Sequence, residues 1–92
     1  MASNFGISVY RNNKILQLKL SGDFDGSSAL QLLSLMRNCL NETNNIFINT
    51  DSVSRIETFG LNIFRHNLGS LVKHAIKFVF TGENALSFIE TW

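Results

Sequence analysis

The chain of 92 residues contains no proline and a single cysteine. Without proline, every break in the chain must be made by glycine or by short polar side chains. One cysteine, Cys39, excludes an intramolecular disulfide, and its place on the apolar side of a predicted helix marks it as a buried, inert thiol. Charge is sparse: 16% of residues are charged, the formal net charge is +1, and there is no basic block. That excludes the electrostatic footprint of a nucleic-acid binder or of a segment held to an anionic membrane. No apolar run approaches the roughly 20 residues that a membrane span needs. "MASNFG" has neither the basic start nor the apolar stretch of a signal peptide. The expectation is a cytoplasmic protein without direct membrane insertion.

What is present is apolar material, 45% of the chain, with eight phenylalanines spread along it. A chain of this length buries roughly two-thirds of the surface exposed when unfolded, so residues 1–92 are expected to form one domain. "NFGISVYR" alternates Phe5, Ile7 and Val9 with Gly6, Ser8 and Tyr10, the period of a half-buried strand. Asn12 and Asn13 suit a tight turn, and "KILQLKL" then sets Leu16, Leu18 and Leu20 against Gln17 and Lys19, completing a hairpin. "SGDFDGSS" interrupts the pattern, with Asp25, Ser27 and Ser28 as candidate helix caps.

From Ala29 to Leu40 the apolar positions are Ala29, Leu30, Leu32, Leu33, Leu35, Met36, Cys39 and Leu40, a wide helical stripe. "IFIN", residues 46 to 49, reads as a strand covered on both faces, and "TDSVSR" as a polar connection. A second helix carries Leu61, Phe64, Leu68, Leu71, Val72 and Ala75 on one side, with Asn62, Arg65, Asn67, Lys73 and His74 toward water. Ile76, Phe78 and Phe80 alternate in a fourth strand, Gly82 turns the chain, and Leu86, Ile89 and Trp92 mark a short final helix. The order ββαβαβα implies an α/β fold with crossovers, a mixed sheet of about four strands, and helices packed on it.

Little in this chain has the spacing of catalysis. His66 and His74 are eight apart on one helix, ~12 Å along its axis, too far to share a metal, and no other cluster has ligand spacing. Asp23, Asp25 and Glu57 read as caps and solvated loop acids. "GDFDGSS" lacks the ending of a phosphate loop, and no serine carries an elbow signature. No enzyme, cofactor or metal is expected.

The junction "RIETFGLNIF", residues 55 to 64, raises the sharper question. Thr58 stands where a loop gives way to a helix, so its hydroxyl is either an N-cap or something more. A helix N-terminus stabilises an anion, and a phosphate on Thr58 would bring about −1.5 to −2 charges to that end without melting the helix.

Two stretches carry a resemblance. "LKLSGDFDGSSA" resembles the hairpin and first-helix entry of STAS domains (sulphate transporter and anti-sigma-factor antagonist). "IFINTDSVSRIETFGL" resembles their strand and switch segment, which commonly ends Asp-Ser-Ser-Gly-Leu or Asp-Ser-Thr-Gly-Leu. The resemblance runs from about Ile15 to Ala85. It implies that Asp25 stands at the family's first-loop Asp, Glu57 at the switch Asp, Thr58 at the phosphoacceptor Ser, and Gly60 at the Gly. Phe59 replaces a small hydroxyl residue, and Asn49 the usual strand-end Asp. The implied function is that of an anti-sigma-factor antagonist in a partner-switching system. Its partner would be an anti-sigma factor that is also a serine/threonine kinase, phosphorylation would fall at Thr58, and Asp25, Glu57, Phe59 and Gly60 would bind the partner. "VSRIETFGL" also resembles the small STAS subunits of lipid-transporting ABC complexes, which would instead make the chain a non-phosphorylated scaffold on an ABC ATPase subunit.

Overall fold

In the computed structural model, which describes residues 4–39, 43–71 and 77–89, the first hairpin closes at Asn13. That residue takes φ 57°, a left-handed conformation that asparagine tolerates better than most residues. It joins β1 (Gly6–Asn12) to β2 (Ile15–Phe24), antiparallel, with Asn12 opposite Ile15 and Gly6 opposite Ser21. Leu16, Leu18 and Leu20 are all buried, as their alternation implies. On β1 the alternation is weaker, and Val9 is exposed at the edge.

Helix α1 (Gly26–Cys39) leads to β3 (Asn45–Ile56), and α2 (Thr58–Leu71) leads to β4 (Lys77–Thr81). The sheet order is β1-β2-β3-β4, with β2, β3 and β4 parallel. Two right-handed crossovers that step the same way along a sheet put their helices on the same face, and α1 and α2 pack against each other there. This corrects the reading of Ile46 to Asn49 as a strand covered on both faces. Ile46, Ile48 and Thr50 are buried under the helices, whereas Phe47 and Asn49 are only half-buried on the opposite face.

Strands β2 and β3 are both longer than their hydrophobic runs. Ser21–Phe24 and Ser52–Ile56 pair with each other past two register shifts, one between Lys19 and Ser21 and one between Gly22 and Asp23. The "TDSVSR" stretch is therefore strand, not connection. At each shift β3 carries one residue more than β2, which re-aims the chain. Gly22, between the two, takes φ 84°, and a Cβ there would run into the Asn4 carbonyl.

One core lies between the sheet and the helices. It holds Leu16, Leu18, Leu20, Phe24, Ile46 and Ile48 from the sheet, and Leu32, Met36, Phe64 and Leu68 from the helices. Cys39 is buried, and Arg11 Nη2 donates to its sulfur at 3.2 Å. Leu30, by contrast, is 57% exposed although its apolar side chain belongs to the helical stripe of the sequence. The burial stripe is narrower than the run of apolar letters.

The short α3 (Ala85–Ile89) is held at its start and at its middle. Asn84 Nδ2 donates to Thr50 O at 2.9 Å, Thr50 Oγ1 donates to Thr81 O at 2.7 Å, and Arg65 Nη2 donates to Ser87 O at 2.5 Å. Arg65 thus turns toward α3 rather than into water. Phe88, not Leu86, is the anchor: it is fully buried, while Leu86 is 68% exposed. Its ring meets Phe24 at 4.9 Å, Phe80 at 5.8 Å and Phe64 at 6.0 Å between centroids. The expected contributions of Leu40, Val72, Lys73, His74, Ala75, Ile76 and Trp92 lie outside the described residues.

Candidate functional site

Phe24 and Ile56 end their strands as Cα partners, and a single residue follows each before a helix begins. Asp25 links β2 to α1, and Glu57 links β3 to α2. The Glu57 amide donates to Phe24 O at 2.9 Å, so the second link is tied to the end of the first strand. Two helix N-termini consequently open side by side. Each carries unpaired amides and a partial positive charge.

Asp25 is the N-cap of α1. Its Oδ1 accepts the Ser28 amide at 2.9 Å, the Ser28 hydroxyl at 3.0 Å and the Ser27 hydroxyl at 3.2 Å. Of the three capping candidates in the sequence, the acid is the one used. The Ser28 amide above all holds its carboxyl below the usual 3.8. Desolvation opposes this, and the hydroxyls of Ser28 and Ser27 add to it. The side chain is 9% exposed, so it is committed to the cap rather than turned outward.

The second junction is built differently. Leu61 N donates to Glu57 O at 3.1 Å, which makes Glu57 the residue that opens α2 and Thr58 its first full helical residue. The N-cap role expected of Thr58 is therefore not the one it has: the helix starts one residue earlier than that role requires. Thr58 is exposed, and its hydroxyl makes no hydrogen bond among the described residues. Glu57 is exposed as well, and Phe59 is 68% exposed.

Gly60 is buried where the two helix starts touch. A Cβ there would stand 2.7 Å from the carbonyl carbon and oxygen of Asp25, so the close approach requires glycine. Asp25 and Gly60 thus position the junction, while Glu57, Thr58 and Phe59 form its surface. Two residues that the sequence reading did not select belong with them. Gly26 lies under the Phe59 ring, and Leu30, one turn further along α1, extends the exposed apolar surface. The spacing of Leu61, Phe64 and Leu68 held a clue, since at 3.6 residues per turn Phe59 falls opposite that buried stripe. Asp23 and Arg55, Cα partners across β2 and β3, set one acid and one base beside the junction. His66 is exposed, and no group of metal-binding side chains assembles among the described residues.

A family model described as STAS domain matches residues 6–85. Among solved structures, the chain is similar to the anti-sigma factor antagonist SpoIIAA in its unphosphorylated form. The TM-score is 0.70 at 12% identity, covering 96% of this chain and 83% of that one. An anti-sigma factor antagonist from Mycobacterium paratuberculosis gives a TM-score of 0.70 at 17% identity, covering 91% and 73%. Mglu gives a TM-score of 0.74 at 17% identity, covering 83% of this chain and 19% of that one. The chain spans between 19% and 28% of the Mglu chains it matches. At these identities the likeness is one of fold. No curated protein sequence matches the chain significantly.

Proposed function

The chain belongs to the STAS domain family, and from that premise we propose that it is a protein-binding module of the anti-sigma-factor-antagonist kind, working by partner switching. Residues 1–92 act as one unit in the cytoplasm, and the unit binds rather than catalyses. The observation that carries this reading is the exposed Thr58 hydroxyl at the mouth of α2, flanked by Glu57 and Phe59 and beside the N-terminus of α1. The hydroxyl is accessible to a kinase, and the aromatic ring next to it is the kind of side chain that anchors protein interfaces.

The unmodified surface binds an anti-sigma factor with serine/threonine kinase activity. Phosphorylation of Thr58 then adds two negative charges or nearly so. The first-turn amides of α2 stabilise that charge, so the fold persists, but the apolar and hydroxyl surface the partner held is replaced by a hydrated anion. Glu57 adds its own negative charge alongside, which strengthens the change. Fold likeness to SpoIIAA, described in an unphosphorylated form, supports the same reading.

The test is an affinity pull-down of wild type, Thr58→Ala and Thr58→Glu from the native cell, with mass spectrometry. Wild type and Thr58→Ala should recover a small ATP-binding kinase, and Thr58→Glu should fold normally yet lose it by tenfold or more, about 1.4 kcal/mol. Equal recovery by all three variants would refute the switch. Recovery of an ABC ATPase subunit instead would establish the scaffold reading.

A further inference from the structure

Phe59 is exposed, yet one edge of its ring rests on the protein. Its Cε2 lies 2.9 Å, and its Cδ2 3.1 Å, from the point where a Cβ on residue 26 would stand, and Ile63 Cδ1 is 3.3 Å from that point. The ring therefore has a seat: the bare backbone of the first turn of α1 on one side, and Ile63, one turn further along α2, on another. Any residue other than glycine at position 26 would occupy the seat. The backbone of Gly26 itself is ordinary helix with no positive φ, so neither its φ nor a fixed neighbour demands glycine there. What a methyl group would meet is the far end of a mobile side chain.

Resting on the partner-binding reading above, we propose that Gly26 is a positioning residue, which holds the Phe59 ring ready for the partner. A side chain already held in its bound orientation loses less freedom on association, and freezing one such side chain is worth about 0.5–1.5 kcal/mol, or about two- to tenfold in affinity. Gly26 contributes to binding by leaving room, not by touching the partner.

The probe is the purified ATP-binding kinase recovered in the pull-down, titrated against four versions of the chain: wild type, Gly26→Ala, Phe59→Ala and the double variant. Gly26→Ala should retain the wild-type melting profile and bind about two- to tenfold more weakly. In the Phe59→Ala background the same change should have no effect, because there is no ring left to displace. Unchanged binding by Gly26→Ala, or a loss that persists without the ring, would overturn the proposal. A readout free of any partner runs alongside it. In wild type the Hα protons of Gly26 should show an upfield ring-current shift that disappears in Phe59→Leu; its absence from wild type would refute the seat. If no kinase is recovered, the functional reading fails and the positioning role falls with it, while a retained ring-current shift shows that the ring still sits over Gly26.

Discussion

The same substitution made at two glycines should give opposite results. In Gly60→Ala the new methyl carbon would stand 2.7 Å from two backbone atoms of Asp25 and 3.0 Å from its Cα. Carbon atoms rest at about 3.5–4.0 Å, so the overlap is close to 1 Å against main chain that is itself held by the α1 cap. Relief requires moving two helix starts apart. Overpacking of this kind costs about 1–3 kcal/mol, and the better helix propensity of alanine returns up to about 1 kcal/mol. The net expectation is a loss of about 1–2 kcal/mol, or a fall in Tm of about 5–15 °C for a domain of this size. In Gly26→Ala the obstacle is a ring that can swing into solvent, so the propensity gain stands and Tm should hold or rise slightly. Thermal melts and urea titrations of the two variants beside wild type measure this, with m-values checked for constancy. If Gly60→Ala melts with wild type, or Gly26→Ala loses as much as Gly60→Ala, the close approach of the helix starts is wrong.

Two further outcomes follow from the packing and the cap. Phe88→Ala should cost about 3–5 kcal/mol, because a fully buried ring leaves a cavity among three others, whereas Leu86→Ala should stay within about 0.5 kcal/mol. Urea unfolding compares them, and the reverse ranking would mean that α3 is turned the other way. Asp25 has its carboxyl pKa lowered by folding, so its stabilisation is complete above the ordinary value of 3.8 and is lost as pH falls through the lower folded value. Asp25→Asn, which keeps a capping side chain, should melt near wild type at neutral pH and lose part of the acid-induced decline in Tm; an unchanged acid profile would exclude this cap as a source of it.

The order of elements was legible because each has one dominant period. Leu16, Leu18 and Leu20 repeat every second residue, and Leu61, Phe64 and Leu68 follow a helical turn. The second halves of β2 and β3 were not legible, since Ser21–Phe24 and Ser52–Ile56 are held by each other in a ladder broken by two register shifts. Strand pairing of that kind is tertiary and leaves no hydrophobic repeat in either segment. Thr58 was misplaced by one position because the first intrahelical bond of α2 is accepted by the backbone of Glu57, which no side-chain pattern reveals. The junction itself stood out as a cluster of unusual letters. Gly26 did not, because its significance lies in a ring 33 positions later in the chain, and only the adjacency of α1 and α2 joins them.

One-residue links leave no slack. With Phe24 and Ile56 paired and Glu57 tied back to Phe24, neither helix start can tilt without dragging the other and stretching the strand pair beneath. For the mark proposed at Thr58, a surface mounted in this way favours a readout through altered charge and texture over one through a change of fold, which would leave the moving to the visitor.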